Sequence, residues 1–367
     1  MFKIKNIETY IIQVPLLVPL KMSGVHIEYC DNTVVKITAN NGKVGWGEAP
    51  YAPFFNGETS RGMVAAIDFM KDRLLGKEIL QQSDIKDVIS STIYGNSGAK
   101  SAIDMALYDL SGKSEDKPLY ETLGGAKRDK VPMIWLVAGG DDEFKLLAEK
   151  VDQGFVSFKV KVGTNNVHED IERSYQAQRI LDHNYTLSAD ANQGFNRSDA
   201  LIFASKTGDI GLDFFEQPVT GKDIDTMVEC NARSYAPIGV DEGIHNIDDI
   251  KIHHDRKAAN GGSLKMIKFG GVAQLFEAAN LMHSYDMHIN LAGKAANTSI
   301  GSAAIAHFTR ALPSLDWDAS LSSQYLSDDI AENPVKVIEG HIITPDDGPG
   351  LGINIDEDKL NQYSIKL

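Results

Sequence analysis

"FVSFKVKVG", Phe155 to Gly163, reads as a buried strand that closes on two lysines, Lys159 and Lys161. Side chains two apart on a strand share a face, so both ammonium groups point into the same space. Similar short apolar runs recur on the C-terminal side: "YTLSADANQ", "GLDFFEQPV", "YAPIGVDEG", "SLKMIKFGG", "DMHINLAGK" and "LPSLDWDAS"; "VPMIWLVAG" precedes it. Helix-like segments separate these runs at a spacing of about 25 residues, the length of a βα unit, and eight such units close into a parallel barrel. The fold class is therefore α/β, with a (β/α)8-type barrel at its centre.

The stretch before the barrel has a different texture. "KIKNIETYIIQV" and "NTVVKITANNGKVGWGEA" alternate apolar and polar residues, with "NNG" as a hairpin signal. "AKSAIDMALYDLSGK" then switches to helical spacing, with Ile103, Ala106, Leu107 and Leu110 on one face. "LGGAKRDKVP" has the glycines, charges and proline of a junction. The expected division is an α+β domain over 1–126, the barrel over 127–326, and a segment, 327–367, that returns to the first domain.

Composition narrows the function. The chain has 367 residues, 43% hydrophobic, enough for a large core. Its formal charge of −15 argues against nucleic acid or an anionic membrane as partner, because both reward clustered Lys and Arg. A small molecule is the expected partner. No long uncharged apolar run and no signal-peptide pattern stand out, so a cytoplasmic location is expected. Cys30 and Cys230 lack CxxC spacing and the ten histidines form no HExxH pair; metal chemistry would have to use oxygen ligands.

Polar residues close almost every barrel run: Lys159 and Lys161, Asp190, Glu216, Asp241, Lys265, Lys294, and Asp316 with Asp318. In a (β/α)8 barrel the C-terminal strand ends surround one mouth, so these residues are expected to form one site. Asp190, Glu216 and Asp241 end successive strands, and three close carboxylates call for a cation. All-oxygen ligation favours Mg2+; the alternative is that the carboxylates only neutralise the lysines. Lys159 and Lys161, side by side, are expected to lower each other's pKa and so to supply a general base. Lys265 ends the sixth strand, across the barrel from Lys161, an arrangement suited to taking a proton from one face of a carbon and returning it to the other. Lys268 has the wrong parity for the mouth and reads as structural.

"KVKVG", "DANQG", "EQP", "DEG" and "LKMIKFGG", with "GWGEAP" early and "GPGLGI" late, resemble the muconate-lactonizing-enzyme subgroup of the enolase superfamily along the whole chain. The resemblance implies an α+β capping domain, a modified (β/α)7β barrel, and Mg2+-assisted removal of a proton α to a carboxylate through an enediolate. By motif it makes Asp190, Glu216 and Asp241 the metal ligands, Lys161 and Lys265 the acid–base pair, and Lys159 their electrostatic neighbour. Within the subgroup, "DWDASL" resembles the DxD motif of the dipeptide epimerases, in which Asp316 and Asp318 would hold the substrate's ammonium group. The implied activity is a dipeptide epimerase acting at the C-terminal residue of an L-Ala-L-Glu-like substrate, in a chain that can form a homo-oligomer. The first loop, "LKMSGVHIEY", departs from that pattern, with Val25 where an arginine would meet a distal carboxylate; Lys294 and His26 are candidates for that contact. The alternatives are an N-acylamino acid racemase, an o-succinylbenzoate synthase or a muconate-type cycloisomerase on the same machinery, and, from another class, a metal-free Schiff-base lyase.

Overall fold

A computed structural model of the chain describes residues 2–22, 25–53, 55–80, 82–294, 296–345 and 348–366, and of these it leaves the side chains of residues 18–22, 25, 26, 82 and 83 undescribed. The barrel is built from eight parallel strands in sequential order: Ile134–Val137, Ser157–Lys161, Thr186–Asp190, Phe214–Glu216, Ile238–Val240, Gly261–Leu264, His288–Ala292 and Ala319–Ser320. A parallel bridge between Met133 and Ala319 brings the last strand back to the first. Helices cover the outside, so both faces of each strand are buried and the strands read as nearly continuous apolar runs. Ser157 to Val160 are all buried, and only Lys161 emerges at the end. A helix follows each of the first seven strands, whereas the eighth leads only into a 3-10 turn, Ser323–Tyr325. This is the (β/α)7β variant.

The floor of the barrel is plugged. The Trp317 indole stacks on Phe214 with ring centroids 4.2 Å apart and planes 9° from parallel. A Cβ on Gly261 would lie 2.6 Å from the Trp317 ring, so glycine there makes room for the indole.

The N-terminal domain pairs Ile4–Ile12 with Asn32–Ala39, and the latter with Val44–Pro50, in an antiparallel sheet. The helix Ser97–Glu115 lies against that last strand. Its contact residues Ala99, Ala102, Ile103, Ala106 and Leu110 are buried at helical spacing. The approach is close enough that a Cβ on Gly47 would sit 2.0 Å from the Ala102 carbonyl oxygen, which accounts for the glycines of "GWGEAP". The tail folds back over both parts: His341–Ile343 pairs with Val131–Pro132 beside the barrel, and the Ile365 amide donates to Ile11 O at 2.8 Å. No helix among the described residues is long and apolar enough to cross a membrane.

Cap and barrel are joined through Glu48, a carboxylate of the cap sheet that is 1% exposed. It accepts from the amides of Thr298 and Gly301 and from Asn297 Nδ2, each at 2.9 Å, and from Thr298 Oγ at 2.8 Å. Asn32 reaches the same loop, donating to Ala296 O at 2.8 Å. That loop begins at Lys294, on the rim of the cleft.

Candidate active site

The C-terminal strand ends open into a cleft of about 830 Å3 including its open mouth, lined by Lys159, Lys161, Asp190, Glu216, Asp241, Lys265 and Lys294 and covered from the cap by Phe55. Strand register explains the grouping: Lys161 is paired with Asp190, and Asp190 with Glu216, while Asp241 and Lys265 directly follow their strands. After the third and fourth strands the chain turns through left-handed residues, Asn192 (φ 41°) and Gln217 (φ 39°). The Gln217 carboxamide then stitches the next loop in place, accepting from the Asp241 amide at 2.8 Å and the Gly243 amide at 3.1 Å.

Every lysine lining the cleft but one meets a carboxylate. Lys159 donates to Glu216 and lies 5.1 Å above the Phe214 ring. Lys161 donates to Asp190 at 2.6 Å and to Asn192 Oδ1 at 2.7 Å. The two neighbouring ammonium groups thus have separate acceptors. Lys265 donates to Asp241. Burial pulls Lys265 down, but Asp241, Glu242 and Glu216 outweigh it and hold its ammonium above the ordinary lysine value. Burial likewise pushes Asp241 up, yet Lys265 and Lys268 hold it below the usual carboxylate range. Lys268, off the cleft, is fully buried and donates to Asp241 Oδ1 at 3.0 Å, Asp241 O at 2.8 Å and Ser263 O at 2.5 Å.

Lys294 is the exception. It has no carboxylate within salt-bridge distance among the described residues; its ammonium lies 5.6 Å from the Phe55 ring. Burial, with Lys265 nearby, lowers it to about 8.

The three expected metal ligands are 3%, 2% and 1% exposed and stand on adjacent strands, and three carboxylates are a donor set suited to a hard divalent ion. Their backbone positions and chemistry fit such an ion. Their side chains are turned onto the lysines, and among the described residues no three acidic, cysteine or histidine side chains converge as a metal cluster. Rotation of the carboxylates away from the lysines would be needed to bring them together.

Asp316 and Asp318 do not reach the cleft. The eighth strand is only Ala319–Ser320, so both aspartates precede it, at the opposite end of the barrel. Asp316 is exposed and contacts His288, the first residue of the seventh strand; Asp318 is bonded to Ser157, the first residue of the second. The apolar residues of "LPSLDW" suggest a strand four residues too early; Trp317 instead fills the barrel floor. At the cleft the eighth unit presents Ser320, Leu321 and Ser322. The expected ammonium clamp is therefore corrected. The side chains of Val25 and His26 lie outside the described residues, so the His26 contact has no structural counterpart here.

Some cleft residues went unread in the sequence. Asn192 and Glu242 stand in "DANQG" and "DEG", where only the first residue of each motif was assigned a role, and Phe55 stands in a cap loop whose pattern carries no chemical signal.

An α+β cap over a barrel whose strand ends bring lysines and carboxylates to one cleft defines a class of acid–base barrel enzymes. The chain belongs to the enolase superfamily: residues 6–124 match the mandelate racemase / muconate lactonizing enzyme N-terminal domain and residues 143–359 the enolase C-terminal domain-like family. It is 28% identical over 372 residues to an N-succinyl-L-Arg/Lys racemase of Bacillus cereus, covering 99% of this chain and 98% of that one. The muconate lactonizing enzyme of Pseudomonas fluorescens complexed with muconolactone superposes with a TM-score of 0.95 at 28% identity, covering 99% of each chain. The substrate-liganded L-Ala-D/L-Glu epimerase of Bacillus subtilis gives 0.90 at 28% identity, with 96% of this chain and 98% of that one covered. The protein is thus an isomerisation enzyme of a superfamily whose members generally use Mg2+.

Proposed function

We propose that the protein is a divalent-metal-dependent racemase or epimerase that moves the α-proton of a carboxylate between Lys161 and Lys265, and that its substrate is a dianion of the N-succinylamino acid type. The charge of the cleft carries this reading. With Lys161 as the neutral base, four ammonium groups remain, on Lys159, Lys265, Lys294 and the Asp241-bound Lys268, against four carboxylates, on Asp190, Glu216, Asp241 and Glu242. A divalent ion held by Asp190, Glu216 and Asp241 would leave two positive charges in excess and would polarise the substrate carboxylate it faces. A substrate with two carboxylates cancels that excess.

In this reading Lys161 removes the α-proton from one face and Lys265 delivers one to the other. Both lysines share a carboxylate with the metal-binding set, so an ion held by Asp190 and Asp241 would compete with Lys161 and Lys265 for them. Lys159, supported on Phe214, moves no proton and contributes fixed positive potential. Lys294 meets the distal carboxylate, and Phe55 closes the cleft from the cap. A free dipeptide fits less well, because with Asp316 and Asp318 away from the cleft the one lining carboxylate outside the metal set among the described residues is Glu242, which Asn192 already engages. A dicarboxylate cycloisomerase satisfies the same charge balance and is the second reading, supported by the close likeness to the muconate lactonizing enzyme.

The test is a panel of N-succinyl and N-acetyl amino acids, free dipeptides and cis,cis-muconate, incubated in D2O with Mg2+ and read by mass spectrometry and by absorbance for lactone formation. N-Succinyl compounds should take up α-deuterium fastest. Faster exchange into free dipeptides would overturn the dianion assignment, and lactone formation without exchange would select the cycloisomerase.

A further inference from the structure

Glu242 holds no metal and moves no proton in the reading above, yet it is buried at the cleft wall with one oxygen, Oε2, that has no hydrogen-bond partner among the described residues. Its other oxygen accepts from Asn192 Nδ2 at 3.1 Å, and the same carboxamide presents Oδ1 to Lys161 Nζ at 2.7 Å. Asn192 therefore stands between a group that only accepts and a group that, as ammonium, only donates. Its backbone is held as well, with its amide donating to Asp190 Oδ1 at 2.8 Å.

The orientation of that carboxamide matters for chemistry. A neutral lysine has two N–H bonds and one lone pair, and it acts as a base only if the lone pair faces the substrate. With Oδ1 towards it, Asn192 accepts an N–H and leaves the lone pair free. Reversed, the carboxamide would donate into the lone pair and occupy it. Lys161 has one other acceptor among the described residues, Asp190, and in the proposed mechanism that carboxylate belongs to the metal. Asn192 is then the group that aims Lys161.

We infer that Glu242 is a positioning residue that locks the Asn192 carboxamide with its oxygen towards Lys161, keeping the lysine lone pair directed into the cleft. A carboxylate at 242 forbids the reversed carboxamide, which would set Oδ1 against a carboxylate oxygen. A glutamine at 242 would permit it, because a carboxamide can offer either end. The inference rests on the assignment of Lys161 as a base, though its test needs no substrate.

That test is competitive labelling with acetic anhydride in magnesium chloride at alkaline pH, with the rates at Lys161 and Lys265 read by peptide mass spectrometry. In Glu242→Gln the labelling of Lys161 should fall about tenfold relative to Lys265, the factor that one hydrogen bond to the lone pair represents. In an Asn192→Ala background, where no carboxamide can reverse, Glu242→Gln should leave that ratio unchanged. The inference is overturned if Lys161 and Lys265 lose reactivity together, if the Lys161 ratio does not change in Glu242→Gln, or if its fall persists without Asn192. Because no substrate is present, an error in the substrate assignment would show only in the deuterium panel and would leave this result intact.

Discussion

Replacing Asp318 by asparagine should stabilise the protein at neutral pH without loss of turnover. The carboxyl is pushed up to about 6, chiefly by burial and further by Asp213, against the hydrogen bond from Ser157. The folded state therefore holds the Asp318 proton more tightly than the unfolded chain, whose aspartates titrate near about 3.9. Each pKa unit corresponds to about 1.4 kcal/mol, so ionising Asp318 costs the fold up to about 3 kcal/mol relative to the unfolded chain. Its contribution to stability is present below about pH 4 and is lost as the pH rises through about 6. An asparagine side chain would keep the shape and would also suit the left-handed backbone there, φ 51°. In urea unfolding, the variant and the parent should coincide near about pH 3.5 and diverge to as much as about 3 kcal/mol in favour of the variant near about pH 8. Deuterium exchange into an N-succinyl amino acid should match the parent. A less stable variant near neutral pH, or one that loses exchange by more than about tenfold, would refute both the electrostatic argument and the position of Asp318 outside the cleft.

Lys161→Ala and Lys265→Ala should each stop interconversion of enantiomers, while each still exchanges the α-proton of the one enantiomer that faces its surviving lysine; exchange of both by either variant would exclude a two-base mechanism. Lys294→Met should lower kcat/KM for an N-succinyl substrate by about a hundredfold, the cost of leaving a buried carboxylate unpaired, with a much smaller effect on the N-acetyl analogue; equal losses on the two would make Lys294 structural. EDTA should abolish exchange and Mg2+ restore it, and Glu216→Gln should weaken Mg2+ binding in calorimetry; full exchange by the chelated enzyme would exclude the Lewis-acid step.

The barrel was legible because its evidence is periodic. Apolar runs recurring at βα spacing, almost all closed by a charged residue, survive errors of a few residues at any one strand. The cap was legible for the same reason, from the change between alternating and helical patterns. The eighth strand failed because it is two residues long and preceded by "LPSLDW", whose apolar residues look like strand but include the indole that fills the barrel floor. An error of four residues moved two aspartates from one end of the barrel to the other. Contacts such as Asn192 with Glu242 lie beyond a pattern-based reading, since they depend on how loops after the third and fifth strands meet.

The attachment of Glu48 to the loop beginning at Lys294 bears on how the two domains can be recombined. A chimera that sets this cap on the barrel of a relative would carry the carboxylate but leave behind Asn297, Thr298 and Gly301, the groups it holds. The unit that can be transplanted is therefore the cap sheet together with residues 296–301, a piece discontinuous in the chain but continuous in space. Library mutagenesis confined to the cleft would overlook this joint, although a change of one atom at Glu48 bears on the loop that presents Lys294.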